Sequence, residues 1–152
     1  MAHDSSLAVR RAILARLKAE APLTALVPAA FIYPGSVPAD HGWPFIRWGS
    51  PTGVPIRASC FDGMDITVAL TAFAKPRYQN NDPRLAMLET AEDRAHKIGA
   101  AMAKALDRTR LILDTDYDAS AVVTWRNTQT FADRAEKDAW QTVQNFRVRV
   151  IS

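Results

Sequence analysis

The sequence predicts an α+β fold: an antiparallel or mixed β-sheet of about four to five strands, with an N-terminal helix and one long helix packed on one face. Three observations carry this. Apolar residues recur at helical spacing near the N-terminus and again beyond Pro83, whereas from Met64 to Phe73 and from Trp140 to Ile151 they alternate with polar ones. Helices and strands also follow one another without the strict alternation that builds a parallel sheet. At 152 residues the chain has the length of a single domain spanning 1–152, enough to bury roughly 70% of its unfolded surface.

Taken in order, Ser5 or Ser6 is placed to cap a helix from Leu7 to Glu20, with Val9, Ile13, Leu14 and Leu17 on one face. Pro22 closes it, and Leu23 to Val27 allows one more short turn. A run of prolines and glycines from Pro28 to Pro55 follows, interrupted by Phe31-Ile32-Tyr33 and Phe45-Ile46-Arg47-Trp48. These pieces read as short extended segments joined by turns, because proline blocks helix continuation. From Met64 to Phe73, strict alternation predicts a strand with one buried side.

Asn80-Asn81-Asp82-Pro83 then reads as a loop, an aspartate cap and a proline at the first helical position. The helix behind it is expected to run to Asp107, with Leu85, Leu88, Ala95, Ile98, Met102 and Leu106 as its apolar stripe. Three strands close the chain: Leu111 to Leu113, Ala121 to Gln129 and Trp140 to Ile151. The charged segment Thr130 to Asp138 reads either as a hairpin loop or as two strands projecting beyond the sheet.

Several function classes drop out on composition. The formal charge of +3 is mild, and basic and acidic residues alternate along the chain instead of concentrating as in a dedicated nucleic-acid binder. Apolar runs such as Ile66 to Phe73 fall far short of the roughly 20 residues that span a bilayer. The first residues, Met1 to Ser6, hold no apolar secretory core. A lone cysteine, Cys60, forms no internal disulfide and reads as a small buried thiol in a protein of the reducing cytoplasm.

No catalytic constellation emerges. His96 lies one helical turn from Glu92 and Asp93, a spacing for a surface ion pair rather than the three ligands of a catalytic zinc. Asp114-Thr115-Asp116-Tyr117-Asp118 opens like a calcium loop, but Ala119 stands where glycine is needed and Trp125 where the bidentate glutamate is needed. Gly49-Ser50-Pro51-Thr52-Gly53 is a turn, since its serine is not centred as a nucleophile elbow requires. Nothing marks a cofactor or a metal. Arg147 and Arg149 share a face of the last strand, with Arg126 on a neighbour. They suit pairing with Asp133, Glu136 or Asp138, with acids of another subunit, or with nucleic-acid phosphates. Among the tryptophans Trp43, between Gly42 and Pro44, has the makings of an interface anchor.

The arrangement resembles the tail-terminator (tail-completion, minor tail protein) family of long-tailed phages and gene transfer agents. The resemblance lies in the N-terminal helix, Leu26-Val27, Phe31-Ile32-Tyr33-Pro34, Trp43-Pro44-Phe45-Ile46-Arg47-Trp48-Gly49, and the closing Phe146-Arg147-Val148-Arg149-Val150. It implies a sixfold ring that caps the tail tube, stops its growth and offers a docking surface to the head. Implied partners are copies of the chain itself, the tail tube protein and a head–tail connector or stopper protein. DNA would pass through the lumen without specific binding, and no membrane is involved. The family carries no catalytic residues, which agrees with the failed search. Assembly would take place in the cytoplasm of the producing cell, and the protein would end in the particle. A closed ring needs two unlike patches on each subunit. Candidates are Arg10 and Arg11 on the first helix, Trp43 in the proline-rich loop, Arg134 and Lys137 in the charged hairpin, and Arg126, Arg147 and Arg149 on the sheet. The alternative readings are a head–tail stopper or adaptor and a small nucleic-acid-binding module.

Overall fold

The computed structural model describes residues 3–57, 62–115 and 119–151. The chain opens with α1 (Ser6–Ala19), a short α2 (Ala21–Thr24), β1 (Ile32–Tyr33), β2 (Phe45–Trp48) and β3 (Thr52–Arg57). It continues through β4 (Asp62–Ala74), β5 (Arg77–Tyr78), β6 (Met87–Glu89), α3 (Ala91–Leu106), β7 (Thr109–Ile112), β8 (Ser120–Ala132) and β9 (Trp140–Ile151). The class is α+β, as predicted. The main sheet, however, has seven strands, in the order β1-β2-β4-β9-β8-β7, with β3 beside β4 on the edge that β2 also uses. Among the described residues only the β1–β2 pair is parallel.

Two features account for the extra strands. Pro55 breaks the sequence signal of β3, yet proline is tolerated on an edge strand, where its missing donor faces away from the ladder; β3 pairs only with β4. The two residues of β1 are too few to carry any periodicity.

Alternation sorts β4 and β9 into two faces. Met64, Ile66, Val68, Leu70 and Ala72 on β4, and Phe146, Val148 and Val150 on β9, are buried against the helices. Across from them α3 contributes Ala95, Ile98, Met102 and Leu106, and α1 contributes Val9, Ile13 and Leu17. Each large aliphatic side chain removed from water in this way stabilises by about 1.5–3 kcal/mol. α3 crosses β4, β9 and β8, and α1 packs beside it.

A polar ladder interrupts this apolar interior. The Trp125 Nε1–H donates to Gln144 Oε1 at 2.9 Å, while Gln144 Nε2 donates to Thr128 Oγ1 at 2.6 Å and to Thr142 Oγ1 at 2.9 Å. Thr130 Oγ1 donates to Thr142 Oγ1 at 3.2 Å. A bulge in β8 between Trp125 and Asn127 sets up the ladder. It shifts the register by one, so that Thr128 opposes Gln144 and Thr130 opposes Thr142 on the helix side. Gly99 lets α3 settle on the ladder: a Cβ there would lie 2.5 Å from Gln144 Nε2 and 2.8 Å from Thr142 Oγ1.

The long helix begins eight residues later than the sequence suggested. Its cap is Thr90, whose Oγ1 accepts from the Asp93 N–H at 3.1 Å, with Glu92 and Asp93 in the first turn. Asp82 instead ties down Arg84. The intervening chain forms the small β5–β6 ladder, so Leu85 and Leu88 lie exposed, outside the helical stripe. At α1, Ser5 occupies the cap position without a side-chain capping bond, and the Ser6 N–H donates to Asp4 Oδ1 at 2.9 Å. Of the two readings of 130–138, the hairpin loop holds: Ala132 pairs with Trp140, which pairs in turn with Ala74 at the end of β4, so the two strands end level with the sheet. β8 runs to Ala132 and β9 begins at Trp140, with the tip folded by the Asp133 N–H donating to Ala139 O at 2.9 Å. Among the described residues no helix is long and apolar enough to cross a membrane.

Candidate functional site

Among the described residues, the sheet face turned away from the helices has no secondary-structure layer of its own, and its two halves differ. Register places Phe131, Gln141, Phe73 and Phe45 in one row at the hairpin end. At the other end Arg110, Val122, Arg149, Asp65 and Val54 form a row across β7, β8, β9, β4 and β3. Between them lie amides: Asn145 Nδ2 donates to Asn127 Oδ1 at 2.7 Å.

The β2–β4 side of the hairpin-end half is covered by the proline-rich loop between β1 and β2, while Phe131 on β8 stays exposed. Phe45 stacks on Phe73 with ring centroids 4.6 Å apart, and His41 and Trp43 pack on Phe45 at 4.0 and 5.0 Å. Lys75 places its ammonium 4.5 Å from the Trp43 ring centre and pairs with Glu136 of the hairpin tip at 3.0 Å. Arg47 stands over Phe73 at 5.5 Å. Rings that stack and cap one another in this way hold the loop to the sheet. They also account for Phe73, on the face away from the helices, being buried.

The other half is open. Arg147 grips Asp65 with Nε 2.8 Å from Oδ1 and 3.0 Å from Oδ2, and Nη2 completes the fork on Oδ2. Arg149 approaches the same carboxylate at 4.0 Å. The hydrogen bonds from Arg147 hold the Asp65 carboxyl below its ordinary range. Partial burial opposes that shift, and the positive charges of Arg147, Arg149 and Arg126 add to it. The Arg147 guanidinium is in turn pushed up by the bonds to Asp65. A cleft of about 680 Å³ runs beside the pair, between β3 and the bulge at Arg126. Val54 lines it, and Val122, Ile151 and Ile112 stand exposed on the same half of the face, Ile112 by 89%.

The structure therefore brings Arg126, Arg147 and Arg149 together, with Asp65 as their shared acid instead of Asp133, Glu136 or Asp138. It also makes neighbours of Trp43 and the hairpin tip that carries the exposed Arg134 and Lys137. Arg10 lies apart, lining a cleft with Leu7, Trp48 and Gly49, and Arg11 is exposed on α1. Asp65 was missed in sequence. Its signal is its place on the polar face of the Met64 to Phe73 alternation, which a register with the last strand turns into a contact.

Chemistry remains sparse. His96 Nε2 is 3.9 Å from Glu92 Oε1 in an exposed pair one helical turn apart. Among the described residues no three histidine, cysteine or acidic groups gather as a metal site. Cys60, and most of the Asp114 to Asp118 turn, lie outside the described residues. A separate ion cluster fastens the β5–β6 ladder to α3, where Glu89 meets Lys97 and Arg77, the latter at 3.3 Å. The bond from Lys97 holds the Glu89 carboxyl below its ordinary range.

The family model described as "Tail completion protein gp17" matches residues 11–151. Among solved structures, a chain from one titled "Virion of native gene transfer agent (GTA) particle" superposes with a TM-score of 0.75 at 16% identity, covering 99% of this chain and 100% of that one. At that identity the likeness speaks for a shared fold. A search of curated proteins finds no match.

Proposed function

The chain belongs to the tail completion protein gp17 family, and from that premise we propose that it is a non-catalytic subunit of a sixfold ring that terminates the tail tube and docks it to the head. The observation that carries this reading is the extent of the family match, residues 11–151, which takes in α3, the whole main sheet and the charged hairpin. The shared fold with a chain of a gene transfer agent virion supports a place in a phage-like particle. In this reading the chain assembles in the cytoplasm of the producing cell, meets the tube protein on one side and a connector protein on the other, and lets DNA pass through the lumen without binding it specifically.

Ring closure asks each subunit for two unlike surfaces. Docking to the tube and connector proteins asks for further surfaces, and the fold offers them at opposite ends of one sheet: the charged tip around Arg134 and Lys137, and the open half around Arg149 and Val122. Exposed aliphatics beside arginines suit docking to other polypeptides, because burying them in a contact removes apolar surface from water while the arginines fix register. Electron microscopy of particles made with and without this chain tests the proposal. Tails of uncontrolled length, or tails unjoined to heads, are expected in its absence; joined tails of normal length would contradict it. Free protein can remain monomeric, since weak ring contacts form by mass action on the tube end.

A further inference from the structure

We propose that the open half of the outer sheet face receives an acidic, aliphatic-bearing segment of a different polypeptide. The proposal deepens the docking role given above and rests on it. Three guanidiniums, from Arg126, Arg147 and Arg149, crowd one carboxylate, and both oxygens of Asp65 are engaged by Arg147 alone. Arg149, its side chain 53% exposed and 4.0 Å from Asp65, keeps donors for another acid. Arg110 stands two strands away in the same row, with Val122 between them. Neighbouring strands are about 4.8 Å apart, so the two cations flank the valine across about 10 Å. A segment that sets carboxylates on either side of an aliphatic side chain would satisfy both kinds of group at once.

The same observations disfavour other occupants. A phosphate backbone gains nothing from exposed Val54, Val122 and Ile151, and Asp65 at the centre repels it. A second copy of this chain offers a poorer match. Asp133, Glu136 and Asp138 are interleaved with Arg134 and Lys137, with Glu136 held by Lys75, and Glu92 and Asp93 lie beside His96 and Lys97. Exposed Asp114 follows Ile112 at the end of β7, on the open half itself, so a copy presenting it would bring its own arginine cluster against this one. Another protein, free of that repulsion, suits the surface better.

Fluorescence anisotropy of the full chain provides the test, with three labelled probes: a short peptide alternating glutamate and valine, polyglutamate of the same length, and a short DNA duplex. The alternating peptide is expected to bind most tightly. Arg149→Glu and Val122→Glu should each weaken it by about tenfold, with unchanged thermal midpoints, whereas Lys104→Glu on α3 should leave binding as it is. Absence of peptide binding, duplex or polyglutamate binding as tight as the alternating peptide's, or binding indifferent to Val122→Glu would each overturn the proposal. Such a failure is separable from failure of the tail-end role, because tails could still depend on the chain for their length.

Discussion

The two halves of the outer sheet face are built on the same three central strands, β4, β9 and β8, and meet opposite fates. At the hairpin end, Phe45, Phe73, His41 and Trp43 close over one another and the β2–β4 side of the face is finished from within the chain, with Phe131 on β8 left exposed beside it. At the other end, Val54, Val122 and Ile151 stay in water around an arginine cluster. An aromatic row supplies enough apolar area to hold a loop. Scattered β-branched side chains among charges do not, and they gain only when a partner arrives. The contrast locates stability in one half and, under the docking role proposed above, recognition in the other.

Substitutions can break or sharpen this contrast. The largest effect is expected from Phe45→Ala in the covered half, which removes the ring that Phe73, His41 and Trp43 all touch; urea unfolding should show a loss of about 3 kcal/mol or more. Next is Gly99→Ala, which pushes α3 off the Gln144–Thr142 ladder beneath both halves. A cost of about 1–3 kcal/mol is expected, with no added loss at high salt.

Smaller still is Asp65→Asn in the open half, which leaves the arginines without their acid; the exposed geometry makes the loss modest and salt-dependent. Its pH signature has a definite sign. The Asp65 carboxyl lies below its ordinary value of 3.8 in the folded chain, so the pair contributes stability in full well above that value. The contribution is lost as pH falls from there through the lower folded value. Acid titration of the wild type against Asp65→Asn should show the two stabilities converging in that window and nowhere higher. Smallest is Val122→Thr, expected within about 0.5 kcal/mol of wild type because the side chain already faces water. A large loss there would mean that the open half is part of the core after all.

Much of this was legible beforehand, for reasons that differ by residue. Met64 to Phe73 and Trp140 to Ile151 declared their faces through strict alternation, and both became central strands. The N-terminal helix declared its buried stripe equally well. Leu85 and Leu88 misled because they sit at helical spacing ahead of a true helix. The capping signature Thr90-Ala91-Glu92-Asp93 marked the real start, and a local ladder took the residues before it. β3 stayed hidden behind Pro55. The arginines were visible, but their partner was not: the Asp65–Arg147 contact joins residues 82 apart in sequence and exists only once β4 and β9 are in register. The bulge at Arg126 was likewise silent, since nothing local distinguishes it until both strands are paired.

Hydroxyl-radical footprinting of the free chain and of assembled particles, read at Val122, Ile151 and Phe45, asks most directly whether the open half is the surface the protein works with. The account predicts strong protection of Val122 and Ile151 on assembly, with Phe45 equally shielded in both states. Equal labelling of Val122 and Ile151 in the free chain and in the particle would contradict it.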